Sequence, residues 1–318
     1  MTILSRFVAP MRSSMNACSG ARRFMRVRVP QNARADANKV SNTVEDAASR
    51  YDRYGRIFLG SACAAGIGGL CLYGISGSRE MSLGERSVMW SPVVRARIRQ
   101  TFGYFTLGLA TTAGAVVALH RTGASIRLMQ MMQQRPILSF LVPLGGLMLT
   151  NGMNTAIPYR ENGVNLEKFG LMLLCNGIVA GIISPLTMLG GPLLLRAAVI
   201  TGGAMGALSL TAMCAPSHQF LNYGGPLSLC LGGMCLATFG AAFLPAGGAA
   251  AAGFHAFYVY GGLVLFGGLT LYDIQRIVHR AETSAQFDPV SASLSVYMDA
   301  INIFIRVAMM LGNNKRRR

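Results

Sequence analysis

Long apolar runs separated by short polar stretches dominate this sequence of 318 residues. Each run approaches the roughly 20 residues that a helix needs to cross about 30 Å of hydrocarbon. Because backbone groups inside a bilayer must find their hydrogen-bond partners within the chain, such runs predict helices. Eight membrane spans are predicted, at about Ile57–Ile75, Gln100–Leu119, Ile137–Thr155, Phe169–Leu189, Leu193–Met213, Tyr223–Phe243, Phe254–Ile277 and Ala292–Leu311.

The composition supports this pattern, because charged residues make up only 13% of the sequence and hydrophobic residues 52%. Soluble domains carry about twice that share of charge. The sequence therefore predicts an all-α, polytopic membrane bundle of eight spans. Ser184-Pro185 predicts a kink at the end of the fourth span, and Gly190-Gly191-Pro192 predicts a tight link to the fifth.

The first 35 residues contain seven arginines and no acidic residue. An arginine-rich, serine-rich and acid-free start without an apolar core is typical of organelle import. Residues 1–50 are therefore predicted to be a mitochondrial presequence and linker, residues 51–98 the first span with its loop, and residues 99–318 the domain that contains the other seven spans. A disordered basic tail is the alternative for residues 1–50. The location predicted is the mitochondrial inner membrane, and the count of Lys and Arg at span ends slightly favours termini in the matrix.

The net charge of +17 does not indicate a nucleic-acid partner. Residues 1–56 contribute +7, from 11 basic and 4 acidic side chains, and the terminal Lys315–Arg318 contributes +4. The remaining charge is spread over loops, without the basic groove and interleaved aromatic residues that bind single strands. The lipid bilayer is the partner that the sequence indicates.

Two acidic residues stand out inside the last two apolar runs. Asp273 and Arg196 are the only charged residues between Phe169 and Gln275, and Asp299 follows in the next run. An ionised carboxylate near the middle of a bilayer costs at least about 2.5 kcal/mol, so such residues usually have a function. Each aspartate lies 13 residues from Gln286, the centre of the intervening turn. A helical hairpin would therefore place both carboxylates at a similar depth.

Polar residues of these two runs follow helical stripes. Two close carboxylates cannot easily both be ionised, so one proton is shared between them. Their oxygens are also suitable ligands for Ca²⁺, with help from carbonyl groups and water. The residues expected at this site are Asp273 and Asp299 as pH sensor and Ca²⁺ ligands, with Asn302, Arg276 and Arg306 in support.

The charges of this acid pair suggest a mechanism. One Ca²⁺ or two protons neutralise two carboxylates, so the ions compete for the site. Access from each side in turn gives Ca²⁺/H⁺ exchange, whereas opening by deprotonation gives a pH-sensitive Ca²⁺ leak. The alternative is that each acid only pairs with an arginine, Asp273 with Arg276 and Asp299 with Arg306. Four further acids are expected to be solvated in polar turns: Glu161, Glu167, Glu282 and Asp288.

No pattern in the sequence indicates an enzyme or a bound cofactor. The motifs of serine hydrolases, zinc peptidases and P-loop proteins are absent, and no cysteine or histidine has zinc spacing. An intramembrane aspartyl protease also uses two aspartates, but only Tyr272-Asp273 fits its pattern. Transport therefore remains the more economical interpretation.

Several motifs resemble the transmembrane Bax-inhibitor-motif family. They are YGGLVLF at Tyr260–Phe266, LYDIQ at Leu271–Gln275, Asp288-Pro289 and YMDAINIF at Tyr297–Phe304. The stretches at Ser184–Ala198 and Met213–Pro216 are similar to the mitochondrial inner-membrane member of that family. The resemblance covers about Trp90 to Gly312.

This resemblance implies a seven-helix core preceded by one extra N-terminal span, with a di-aspartyl pH sensor carried here by Asp273 and Asp299. It also implies Ca²⁺/H⁺ exchange across the inner membrane, maintenance of cristae and resistance to apoptosis. Cytochrome c and cristae proteins are then possible partners. Some members have an arginine in an early span that latches the acid pair, but Ile137–Thr155 contains none. The alternative function is a structural protein that organises cristae and retains cytochrome c without transporting ions.

Overall fold

A computed structural model describes residues 42–43, 45–62, 90–134, 136–160, 165–214, 220–242 and 249–316. These residues contain helices, turns and irregular segments, and no strand. Nine α-helices have assigned bounds: α1 (Pro92–Arg121), α2 (Ala124–Gln134), α3 (Pro136–Ala156), α4 (Leu166–Ile183), α5 (Gly191–Cys214), α6 (Gly224–Ala242), α7 (Ala249–Ala256), α8 (Gly262–Thr283) and α9 (Pro289–Arg316).

Six helical segments within the described residues are long and apolar enough to cross a membrane. Their bounds are Pro92–Arg121, Leu166–Leu189, Gly191–Ala212, Phe220–Thr238, Ala250–Thr283 and Pro289–Asn313. Five of the eight predicted spans lie almost entirely within these segments, and a sixth, Tyr223–Phe243, lies within them as far as Thr238. The predicted span Ile137–Thr155 is helical within α3 but is not among the six. The predicted span Ile57–Ile75 is helical to residue 62, and its remainder lies outside the described residues.

Local sequence signals fix the ends of several helices. Ser91 caps α1, because its side chain accepts a hydrogen bond from Val94 N at 3.4 Å and Pro92 occupies the first turn. The predicted kink at Ser184-Pro185 is confirmed, since α4 ends at Ile183 and Ser184–Leu189 forms a 3₁₀ helix. Gly190 follows with φ of +99°, a backbone conformation that favours glycine, and α5 begins at the next residue.

The chain forms two compact units. The first contains the chain to Gly66 together with Cys230–Gly262, and the second contains Ile67–Leu229 together with Leu263–Arg318. Most of the described helices belong to the second unit. There α9 packs against α1, α4 and α5, and α4 also packs against α1 and α3.

In the first unit, the helical residues 45–62 contact the π-helix Phe257–Gly261. The hydroxyl of Tyr260 donates to the carboxylate of Asp52, which also pairs with Arg56 at 2.6 Å. A Cβ atom at Gly55 would lie 2.1 Å from the Tyr260 ring, so only glycine permits this approach.

Candidate ion-binding site

Helices α8 and α9 bring Asp273 and Asp299 together inside the second unit. Their exposed fractions are 8% and 5%, and the two are close enough for the charge of Asp273 to act on Asp299. The guanidinium of Arg306 lies 4.4 Å from the centre of the Phe266 ring. Since Phe266 and Arg306 each lie 20 residues from Gln286, this contact agrees with the predicted helical hairpin.

Asp299 has less hydrogen bonding than its burial requires. Its Oδ2 atom is buried and has no hydrogen-bond partner among the described residues. The hydroxyl of Thr270 lies near the carboxylate but donates to Phe266 O at 2.7 Å. A buried acceptor without a partner costs free energy, so a proton or a cation at this position would stabilise the site.

Asp273 has more polar neighbours than Asp299. The Ser295 hydroxyl lies near its carboxylate while donating to Ala292 O at 3.0 Å, and Arg280 contributes a more distant positive charge. Arg276 Nη1 lies 4.0 Å from Asp273 Oδ1. The pair proposed between Arg276 and Asp273 is therefore present, but it is long, and the arginine side chain is 41% exposed. Such a contact only partly compensates the charge of Asp273.

Arg306 and Asn302 form their own contact along α9. Arg306 is 2% exposed, and its Nη1 donates to Asn302 O at 2.9 Å and Asn302 Oδ1 at 3.0 Å. The face of Phe266 stabilises the same guanidinium by a cation–π contact. Since Asn302 Oδ1 already accepts from Arg306, its use as a Ca²⁺ ligand would compete with that hydrogen bond.

The expectation that Glu282 and Asp288 are simply solvated is wrong. Glu282 Oε1 accepts a hydrogen bond from Trp90 Nε1 at 2.7 Å. Asp288 forms an ion pair with Lys168, a lysine that is only 1% exposed. Trp90 and Lys168 each lie more than 100 residues from their partners in sequence. The sequence around the turn therefore does not predict either contact. Glu167 is exposed as expected, and Glu161 lies outside the described residues.

Arg97 also fixes the turn between α8 and α9. Its Nη1 donates to Ala281 O at 3.2 Å and Ser284 O at 2.8 Å, and its Nη2 donates to Ala285 O at 3.1 Å. The guanidinium also lies 5.8 Å from the centre of the Phe287 ring. The start of α1 thus holds the end of α8, which supports the position of Asp273 about three turns earlier.

Two hydrogen bonds join α1 to its neighbours within the apolar core. The hydroxyls of Thr112 and Tyr297 lie 2.6 Å apart, and Asn176 Nδ2 donates to Thr111 Oγ1 at 2.8 Å. Tyr297 stands out in the sequence only as part of the YMDAINIF motif, and Thr111, Thr112 and Asn176 belong to no motif. Their only signal is polar character within apolar helices, which also occurs where a hydroxyl bonds to its own helix.

Among the described residues, no group of three or more His, Cys, Asp or Glu side chains is placed to hold a metal ion. The acid pair supplies two carboxylates. A Ca²⁺ ion there would need additional oxygen ligands from carbonyl groups, hydroxyls or water, because Ca²⁺ takes 6–8 oxygens.

The helices and the buried acid pair define a polytopic helical membrane protein. The chain belongs to the Bax inhibitor-1 family, because the family model described as "Inhibitor of apoptosis-promoting Bax1" matches residues 94–316. The family resemblance seen in the sequence is thereby confirmed.

Curated relatives include the growth hormone-inducible transmembrane protein of Rattus norvegicus, which is 38% identical over 85% of this chain and 78% of its own length. Bax inhibitor 1 of Oryza sativa subsp. japonica is 25% identical over 70% of this chain and 83% of its own length. Inner membrane protein YbhL of Escherichia coli K12 is 25% identical over 68% of this chain and 91% of its own length. No solved structure matches the chain significantly.

Proposed function

We propose that this chain is a mitochondrial inner-membrane protein that transports Ca²⁺ through a site formed by Asp273 and Asp299. It acts either as a Ca²⁺/H⁺ exchanger or as a pH-gated Ca²⁺ leak. The observation that carries the proposal is the pair of buried, neighbouring carboxylates, one of which has an oxygen without a hydrogen-bond partner among the described residues. The proposed architecture has eight spans, with a seven-helix family core after one extra span. Roles in cristae organisation and resistance to apoptosis are part of the proposal, the latter by analogy with the family description.

Competition between ions explains how such a site would work. At low pH, protons neutralise the carboxylates and Ca²⁺ has little to gain by leaving water. At higher pH the site carries up to two negative charges, and a divalent cation compensates them in the low-dielectric interior. Ca²⁺ movement without a pH gradient should therefore fall as the pH is lowered on both sides.

A structural role is the second candidate, and one contact favours it. The Arg276–Asp273 pair at 4.0 Å is what a purely structural acid would form. In that case the protein would organise cristae and hold partners such as cytochrome c, without moving ions. Asp299 argues for the first candidate, because an acid kept only for assembly is expected to have both oxygens paired.

The test is Ca²⁺ flux into liposomes that contain the purified full-length chain. Asp273→Asn and Asp299→Asn keep the size of the side chain but remove its charge and its titratable proton. Each variant is expected to reduce Ca²⁺ entry to the rate of protein-free liposomes while remaining folded. A pH gradient without a Ca²⁺ gradient separates the two mechanisms, since only an exchanger would then accumulate Ca²⁺.

Glu167→Gln is the matched control, because Glu167 is an exposed acid at the start of α4. It should transport like the unmodified chain. Asp288 and Glu282 are unsuitable controls because both are bonded to distant residues. Normal Ca²⁺ flux in both aspartate variants would reject the acid pair as the ion site and favour the structural role.

A further inference from the structure

A polar stripe connects the acid pair to the turn between α8 and α9. Asp288, Ser291, Ser295 and Asp299 follow one another at intervals of three, four and four residues, which places them on one face of α9. Ser291 Oγ donates to Asp288 Oδ2 at 2.5 Å, and Ser295 lies beside Asp273. At 1.5 Å per residue, the stripe rises about 16 Å from Asp288 to Asp299, roughly half the thickness of the hydrocarbon core.

The opposite direction along α9 is less favourable for a cation. There the next polar residues are Asn302 and Arg306, and the buried guanidinium of Arg306 would repel Ca²⁺. Toward the turn, in contrast, the stripe presents only hydroxyl and carboxylate oxygens. Cations are also present on that side, since Arg276 and Arg280 of α8 act on Asp273 and Lys168 pairs with Asp288. The continuous row of oxygens along α9 nevertheless favours the Asp288 end as the entrance.

Lys168 closes this end of the stripe. Its ammonium group pairs with Asp288 and donates to Asn154 O at 2.9 Å, which ties together the end of α3, the start of α4 and the start of α9. Asn154 is 1% exposed, and its side-chain Oδ1 and Nδ2 have no hydrogen-bond partner among the described residues. Water entering beside Lys168 would satisfy both atoms.

An open cavity lies beside Asp288, between the residues that follow α3 and those of the α8–α9 turn. It has a volume of about 340 Å³, and Asp288 lines it together with Tyr159 and Gln286. Asp288 thus borders both the cavity and Lys168. A cation in the cavity would meet this carboxylate first and would compete with the ammonium group for it.

We propose that the stripe from Asp288 through Ser291 and Ser295 is the access route of a divalent cation to Asp273 and Asp299, and that Lys168 is its gate. Pairing of Lys168 with Asp288 keeps the route closed. Displacement of the ammonium group frees the Asp288 carboxylate for the cation and opens the path along the serine hydroxyls. This inference deepens the proposed function and rests on it.

Two variants distinguish a gate from a simple tie between helices. Lys168→Met removes the ammonium group, whereas Asp288→Ser removes the entrance carboxylate but keeps an oxygen that can cap α9. A gate predicts opposite effects in liposomes at low Ca²⁺: a severalfold faster entry for Lys168→Met and a slower entry for Asp288→Ser. A mere structural tie predicts that both variants change flux and thermal stability in the same direction, which would overturn the proposal.

Thiol labelling tests the route without relying on transport. Ser295→Cys is exposed to a small cationic methanethiosulfonate added on the side of the α8–α9 turn, and peptide mass spectrometry locates the label. Combining it with Lys168→Met should accelerate labelling severalfold, and Ca²⁺ should slow it. Ser293→Cys is the matched control, because Ser293 is 2% exposed and lies off the stripe. It should remain unlabelled in both backgrounds.

The outcomes separate this inference from the proposed function. If Lys168→Met leaves the labelling rate of Ser295→Cys unchanged, the proposed access route is wrong, whether or not the protein transports Ca²⁺. Flux that requires Asp299 but ignores Lys168→Met would overturn the gate and leave the ion site intact. Faster labelling in a protein that moves no Ca²⁺ would support the route as a path for water and reject the transport proposal.

Discussion

When one partner of a buried hydrogen bond is removed, the stability lost depends on whether the other partner keeps a second hydrogen bond. Thr112 makes two contacts: its hydroxyl bonds to Gly108 O at 2.9 Å and lies 2.6 Å from the Tyr297 hydroxyl. Tyr297 is almost completely buried, so solvent cannot replace the hydrogen bond of its hydroxyl. The two sides of the same hydrogen bond should therefore respond differently to mutation.

We expect Thr112→Val to destabilise the protein more than Tyr297→Phe. The first leaves a buried tyrosine hydroxyl without its partner, at about 1–3 kcal/mol. The second removes one interhelical hydrogen bond, which in membrane proteins averages about 0.6 kcal/mol. Thermal unfolding in detergent micelles measures both, with Tyr104→Phe, on the partly exposed part of α1, as the unaffected control. A larger loss for Tyr297→Phe would contradict this account.

Residues of the site differ in how readily the sequence alone reveals them. Asp273 and Asp299 were recognisable because each is an isolated charge in an apolar run, equally far from one turn. Lys168 and Asp288 were not recognised as a pair, since 120 residues separate them and each lies at the polar end of a helix. Distant pairing depends on the packing of helices, which hydropathy does not encode.

Apolar runs predict most of the helices, but they do not predict how closely neighbouring helices pack against one another. Glycine contacts reveal that approach. A Cβ atom at Gly224, at the start of α6, would lie 2.7 Å from the Tyr272 ring, which precedes Asp273 on α8. The neighbouring Gly225 has nothing within 4 Å of the same position. Both residues look alike in the sequence, so only the fold separates them.

Gly224→Ala should therefore push Tyr272 away and disturb the acid pair beside it. Overpacking of this kind costs about 1–3 kcal/mol. We expect a lower thermal midpoint and a slower Ca²⁺ flux for Gly224→Ala. Gly225→Ala should match the unmodified chain in both measurements, because its methyl group enters open space. Equal behaviour of the two variants would show that α6 does not approach α8 as closely as the structure indicates.

Across the whole molecule, the N-terminal region and the family core differ in the evidence for their roles. The family model begins at residue 94, so the predicted presequence and extra span precede it. Residues 1–41 lie outside the described residues, and their role rests on composition. The first 35 residues contain seven arginines and no acidic residue. A membrane potential that is negative inside would therefore assist the import of this segment. Each positive charge gains about 2.3 kcal/mol per 100 mV on moving to the negative side.

We accordingly expect residues 1–50 to carry a fluorescent reporter into mitochondria and to be shortened there. The matched control replaces the seven arginines before residue 35 by glutamine, which keeps the length and the polar character but removes the charge. That fusion should stay in the cytosol at full length, because the potential no longer acts on it. Microscopy and gel mobility measure the two effects. A native fusion that remains cytosolic, or that enters the endoplasmic reticulum, would reject the presequence and with it the proposed inner-membrane location.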